Sequence, residues 1–332
     1  MHMADALLSP AVGGAMWVAS AATLAVCARK VSARSEDRIV PLMGVLGAFV
    51  FAAQMINFAI PGTGSSGHLG GGLLLAILLG PSAAFLAIAS VLTVQALFFA
   101  DGGLLALGAN LFNIGVLPCF VAYPLLYRPL APAGSSRARV GIAASVAAVG
   151  GLLLGATGVV LQTVASGISS LPAGPFLALM LPIHLAIGLA EGLATAALVL
   201  FLAKARPDLL PAAPAPLRRR SLAGFAVAAA LVAGVLSWFA SPQPDGLEWS
   251  IARAAGMAEL KAPEGGMHGS MARLQSTTAL LPDYDLPASR AAAQGEAAWP
   301  EVNAGKSFAG LVGALATLGL VVAAGFALRR RR

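Results

Sequence analysis

The chain has 332 residues, 58% of them hydrophobic and only 11% charged, with a formal net charge of +7 and a mean hydropathy of +0.84. Soluble globular chains carry about 25% charged residues, so composition excludes a soluble enzyme or binding domain and requires an integral membrane protein. The basic excess does not indicate nucleic acid as a partner. Its Lys and Arg residues sit in clusters between apolar runs rather than among aromatics on a polar face, which is membrane topology.

A membrane-crossing helix needs about 20 apolar residues. The first predicted span covers residues 10–28 and is closed by Arg29, Lys30, Arg34 and Arg38. The second covers 39–60 and runs into a Gly/Ser loop, 61–68, that ends in His68. Residues 69–127 hold three short spans, broken near Gly80-Pro81 and at Asp101-Gly102-Gly103, and Arg128, Arg137 and Arg139 follow. Reading 69–127 as one long crossing gives five spans of the same parity. A sixth span at 140–165 and a seventh at 181–203 complete this part, closed by Lys204, Arg206 and the run Arg218, Arg219, Arg220. With the N-terminus outside, every one of these clusters lies in the cytoplasm, as the positive-inside rule demands. Met1, His2 and the His68 loop then share the outer side.

Beyond Arg220 the character changes. A span at 221–240 leads outward, a polar segment at 241–307 carries most of the acidic residues, and a span at 308–328 returns to an Arg run at 329–332. The Pro-rich stretch 207–216 favours extended, semi-rigid backbone. The expected architecture is therefore an all-α polytopic membrane protein of the cell membrane. A seven-helix bundle at 1–205 is joined by a linker at 206–220 to a two-span module at 221–332.

The residues with metal chemistry lie at the start of the chain. A free Met1-His2 terminus offers three nitrogens: the amine, the His2 backbone nitrogen and the His2 imidazole Nδ1. They close a five- and a six-membered chelate ring in one plane, and the His68 imidazole can complete the square. Planar nitrogen coordination suits Ni(II) or Cu(II) better than tetrahedral Zn(II). Retention of the initiator Met before a bulky His, and the absence of basic residues in Met-His-Met-Ala-Asp, are expected to leave this terminus intact. Gly62, Gly64, Gly67, Gly70, Gly71 and Gly72 around His68 permit close backbone approach. A metal-bound imidazole usually donates its other N–H to a partner. For His68 the candidates are loop carbonyls, Ser65, Ser66 or a buried amide.

Polar groups inside spans are costly and usually face the bundle interior. Gln54, Asn57, Gln95, Asp101, Asn110 and Asn113 meet this description, and His184 and Glu191 fall on one stripe of the seventh span. Gln54 and Gln95 read chiefly as ties between helices, whereas Asn110, His184 and Glu191 are candidates for supporting the site. His268, in the outer segment, reads as solvated. Cys27 and Cys119 lie in apolar stretches with no CxxC and read as packing residues.

Met1-His2, the loop Gly-Ser-Ser-Gly-His68-Leu, Gln95–Gly103 with Leu107-Gly-Ala-Asn110, and His184 with Glu191-Gly192 together resemble the substrate-capturing membrane subunits of nickel and cobalt energy-coupling-factor transporters, the NikM/CbiM family. The resemblance covers about residues 1–205. Pro244-Asp-Gly-Leu-Glu248 and Pro282-Asp-Tyr284 resemble the small two-span N component, here a PDGLE-type domain. The family implies a seven-span subunit that takes up Ni(II) or Co(II) through the Met1 amine, the His2 backbone nitrogen and imidazole, and the His68 imidazole. It implies no cofactor and no catalytic residues. A scaffold membrane subunit and ATP-binding cassette ATPases are the implied partners. Where the family has a turn around Asp-Gly, this chain reads Asp5-Ala6, and Ala takes positive φ less readily than Gly.

Three other readings stand beside this one; in the simplest, a purely structural membrane subunit, Met-His at the terminus is a coincidence. An intramembrane metalloenzyme would want His-Glu-x-x-His, which is absent, and His184 with Glu191 is a poor zinc site. A self-contained secondary metal transporter would want mid-bilayer carboxylates for ion coupling, and only Asp101 and Glu191 qualify.

Overall fold

The structure, a computed structural model, describes residues 1–33, 38–210, 219–256, 260–286 and 299–330. Arg34, Arg218, residues 211–216 of the linker and the last two arginines lie outside the described residues, as do the side chains of Arg329 and Arg330.

The elements in chain order are α1 (Pro10–Ala33), α2 (Ile39–Gln54), β1 (Phe58–Ile60), β2 (Ser65–Gly67), α3 (Gly72–Leu79), α4 (Pro81–Phe99) and α5 (Leu107–Leu130). They continue with α6 (Arg137–Ser166), α7 (Ala173–Ala205), α8 (Arg219–Gly234), α9 (Gly246–Ala255), α10 (Gly266–Thr278) and α11 (Ala304–Arg330). Among the described residues six helices are long and apolar enough to cross a membrane: α1, α4, α5, α6, α7 and α11. Their perimeters keep apolar side chains such as Val18, Ile142, Leu161, Leu193 and Leu315 exposed, as hydrocarbon contact requires. The all-α membrane architecture is as predicted.

Three predicted spans differ in detail; the one at 221–240 is helical as α8 only to Gly234, followed by a 3₁₀ turn at Leu236–Phe239, and falls short of a full crossing. The run at 39–60 is helical only to Gln54, and β1 pairs antiparallel with β2 in a small hairpin. Gly62 and Gly64 take φ of +77° and +75° in its turn, a conformation open to Gly and costly for other residues. The third span is the eight-residue α3, about 12 Å long against a hydrocarbon core of about 30 Å. It still reverses the chain. Gly13 at the start of α1 lies against Leu105, while Cys27 near its end contacts Ser82 at the start of α4. α1 and α4 are therefore antiparallel, and α3 makes the return because the 61–71 loop descends into the bundle before α3 begins. Gly80, at φ +76°, and Pro81 at the first turn of α4 make the sharp reversal.

Close helix packing follows small residues. Gly188 and Gly192 let α7 press on α6, where an added Cβ would lie 2.7 Å from the Val149 Cα and 2.4 Å from the Ser145 Cα, a small-xxx-small contact. In α5, Pro118 and Pro124 remove backbone donors, and Leu111–Tyr127 runs with widened, π-type turns. Cys27 and Cys119 are buried and free.

At the end of the bundle bearing the basic clusters, Arg38 donates to the carbonyls of Asp208 and Leu210 at 3.1 and 3.2 Å. Arg206 donates to Ser221 at 3.0 Å, and Ser32 to the Leu328 carbonyl at 3.0 Å. The first and last parts of the chain therefore meet at this end of the bundle.

Candidate metal site

The first residues run into the bundle and are held by their backbone. Asn110 on α5 accepts from the Met3 N–H at 2.7 Å and donates to the Met3 carbonyl at 3.1 Å. The Gly103 N–H also donates to that carbonyl, at 2.9 Å. Asp5–Leu7 forms a 3₁₀ turn, and Asp5 accepts from the Ala106 N–H at 2.9 Å. Ala6 needs no positive φ in this turn, which is how the chain does without a glycine there. Deeper in, Asn113 and Gln162 exchange amide hydrogen bonds at 2.8 and 3.1 Å beside the Met3 sulfur.

This anchoring brings the terminus to His68. The Met1 amine nitrogen lies 3.4 Å from His68 Nε2, and the His2 and His68 rings stack with centroids 5.2 Å apart and planes 9° from parallel. Burial first, then the positive terminus and the His2 ring, push the His68 imidazole down to about 3. The ring is neutral at physiological pH and keeps a lone pair for a metal. Its Nδ1 lies 3.1 Å from the Leu69 carbonyl, which leaves Nε2 as the unprotonated nitrogen facing Met1. The loop carbonyl, not Ser65 or Ser66, is therefore the partner. Ser65 pairs with Thr63 at 3.0 Å, and Ser66 donates to the Gln243 carbonyl at 2.7 Å.

Glu191 fixes the backbone after His68. Its two oxygens accept from the Gly70 and Gly71 N–H groups at 2.8 and 3.1 Å. Gln54 donates to the Gly70 carbonyl at 2.7 Å and accepts from Gln95 at 2.8 Å. His184, on the same face of α7, has Nδ1 2.8 Å from the Met180 carbonyl. Its Nε2 is buried with no hydrogen-bond partner among the described residues. A cavity of about 20 Å³ is lined by Met1, His68, Ile187, His184, Asp245 and Gly246, among others, room for one water-sized species.

Two carboxylates in the site were not among the residues that sequence singled out as its members. Asp101 lies 3.1 Å from His2 Nδ1 through Oδ1 and accepts from the Tyr284 hydroxyl at 2.5 Å through Oδ2. Burial favours the protonated form and pushes its pKa up, but the His2 ring, the Tyr284 hydroxyl and His68 together outweigh burial and hold the carboxyl below its usual range. Asp245 Oδ2 accepts from the Met1 amine at 2.7 Å. Burial again opposes, and the terminal ammonium and the Glu248 N–H prevail, so Asp245 is also held below the usual carboxylate range. His268, expected to be solvated, is buried, with Nε2 2.8 Å from the Leu8 carbonyl. The outer segment folds over the terminus, so this imidazole loses its water and takes a backbone partner. Among the described residues no three His, Cys, Asp or Glu side chains converge as a metal site.

A family model described as the cobalt uptake substrate-specific transmembrane region matches residues 2–209. The chain belongs to the CbiM family. A second model, the PDGLE domain, matches 219–330. This CbiM-family chain is 34% identical to the fused nickel transport protein NikMN of Rhodobacter capsulatus over 86% of its own length and 88% of that protein. A chain of Archaeoglobus fulgidus carrying the NikMN designation is 34% identical over 99% of this chain and 98% of its own. The solved structure of a transition metal transporter, 31% identical, superposes with a TM-score of 0.52 over 61% of this chain and 93% of that one. The CbiM-family protein is thus a multi-pass membrane component of nickel or cobalt transport, not an enzyme.

Proposed function

We propose that this protein captures Ni(II), or Co(II) with the same donors, from the outer side as the substrate-specific component of an energy-coupling-factor transporter. The observation that carries the reading is the convergence of the Met1 amine and His68 Nε2, 3.4 Å apart, beneath the stacked His2 ring. The ligands are the Met1 amine, the His2 backbone nitrogen and Nδ1, and His68 Nε2. A metal on His2 Nδ1 replaces the Asp101 contact, and the Asp101 carboxylate stays close enough to offset its charge. Asn110 and Glu191 support the site by fixing the Met3 backbone and the chain after His68.

Residues 1–205 are assigned to capture, 206–220 to the joint and 221–332 to a module that closes the outer face. ATP hydrolysis falls to partner ATPases acting through a scaffold membrane subunit. The chain has no Gly-x-x-x-x-Gly-Lys-Ser/Thr, and its Gly305-Lys306-Ser307 carries Pro300 where the first glycine would stand. The rival reading, a self-contained secondary transporter, is weakened by the engagement of both its carboxylates. Asp101 is held by His2 and Tyr284, and Glu191 by two backbone donors.

Uptake of radioactive nickel into vesicles holding the full chain, with and without the scaffold and ATPase subunits, tests the assignment. Uptake only with the partners and ATP is expected. Concentrative uptake by the chain alone, driven by an ion gradient, would establish the rival.

A further inference from the structure

The C-terminal module reaches the terminal amine and the His68 hairpin through the segment Gln243–Gly246. The Ser66 N–H donates to the Pro244 carbonyl at 2.8 Å and the Ser66 hydroxyl to the Gln243 carbonyl at 2.7 Å. Trp249 on α9 donates to the Thr63 carbonyl at 3.0 Å. These contacts seat the start of α9 on the hairpin that leads into His68. Gly246 completes the fit, since a Cβ there would lie 2.5 Å from Ile183 and 3.4 Å from His184 on α7.

Asp245 stands at this junction, and its two oxygens have separate tasks. Oδ1 caps α9, accepting from the N–H groups of Leu247 and Glu248 at 2.8 Å each, and Glu248 answers with a bond to the Asp245 N–H at 3.1 Å. That capping box fixes the carboxylate. Oδ2 is left to point at the Met1 amine, 2.7 Å away. The amine is thereby held over the small cavity that His68, His184 and Gly246 also line. A helix cap alone uses one oxygen, and the second is spent on the terminus of the other unit.

We infer that Asp245 is a positioning residue for metal capture: the C-terminal module completes the site by holding the terminal amine in register with His68. The inference rests on the capture reading above. Without Asp245 the amine loses its carboxylate partner, and more of its ordering must be supplied by the metal itself. Tyr284 of the same module acts in parallel on the second arm of the chelate, holding the Asp101 carboxylate that faces His2.

The two roles of Asp245 can be separated by substitution. Asn and Ser are as good as Asp at an N-cap, so Asp245→Asn and Asp245→Ser keep the cap. Asn puts an NH₂ group, which cannot accept, where Oδ2 meets the amine, and Ser is too short to reach it. Nickel affinity is measured on the purified full chain for wild type, both variants and His68→Ala, alongside thermal melting. Acylation of the Met1 amine by an amine-selective reagent, before nickel is added, is followed by mass spectrometry. The expected result is unchanged melting, faster acylation of Met1 in both variants, and affinity about 10–100-fold weaker, the usual effect of losing a group that orients a ligand. Wild-type affinity and acylation in both variants, with His68→Ala inactive, would overturn the inference and leave the capture reading standing. Wild-type affinity in His68→Ala would overturn the capture reading itself.

Discussion

Glu191 offers the sharpest test of how the bundle supports the site, because it touches no proposed ligand. Its oxygens accept from Gly70 and Gly71, at 2.8 and 3.1 Å, two and three residues beyond His68. In Glu191→Gln one oxygen becomes an NH₂ facing a backbone N–H, so one buried donor loses its acceptor. An unsatisfied buried donor costs about 1–3 kcal/mol. The loop can escape this cost by shifting before metal arrives, but it must return to bring His68 to the amine. The cost then appears as lost affinity, roughly 5- to 150-fold. Equilibrium nickel binding on the purified full chain measures it, with thermal melting to follow the fold. Gln binding nickel as tightly as Glu, with the same melting temperature, would refute the idea that this clamp sets the His68 position.

Three further outcomes are expected. Asn110→Ala strips the Met3 N–H of its acceptor, a loss of about 1–3 kcal/mol, and should weaken nickel binding while hydrogen exchange quickens at residues 2–4. Gly103→Ala has no room, since its Cβ would fall 1.8 Å from an Asp5 oxygen; it should cost the upper part of the ~1–3 kcal/mol overpacking range or more and expose the terminus to proteolysis. Nickel affinity should rise with pH, because the metal-bound state holds fewer protons, by about tenfold per pH unit for each proton released. His68, pushed down to about 3, contributes nothing to that slope near neutrality, so a flat profile between about pH 5 and 8 would count against the amine and the His2 backbone nitrogen as ligands.

What the sequence made legible was chemistry local to a few residues. Met1-His2 carries its chelate geometry in adjacent positions, and the placing of the Arg clusters put His68 on the same side of the membrane. The apolar runs showed the long helices, yet they hid the eight-residue α3 because hydropathy does not record where a loop dips into the bundle. The same blindness extended Ile39–Gln54 through what is a hairpin strand. Asp245 was visible only as part of a motif. Its contact with Met1 spans 244 positions and leaves no local trace, and Tyr284 on Asp101 is the same case across 183. His268 was misread for a related reason: a His in a polar segment looks solvated until that segment is seen folded over Leu8.

The central claim is that the chain terminus itself is a ligand. A single Gly placed before Met1 keeps every side chain but converts the Met1 amine to an amide and moves the free amine out of register. Nickel binding by the full chain with and without that residue is the direct test. The account predicts a loss of affinity in the extended protein as severe as that of His68→Ala. Unchanged affinity in the extended protein would contradict it and shift the site to side chains alone, beginning with His184 and Glu191.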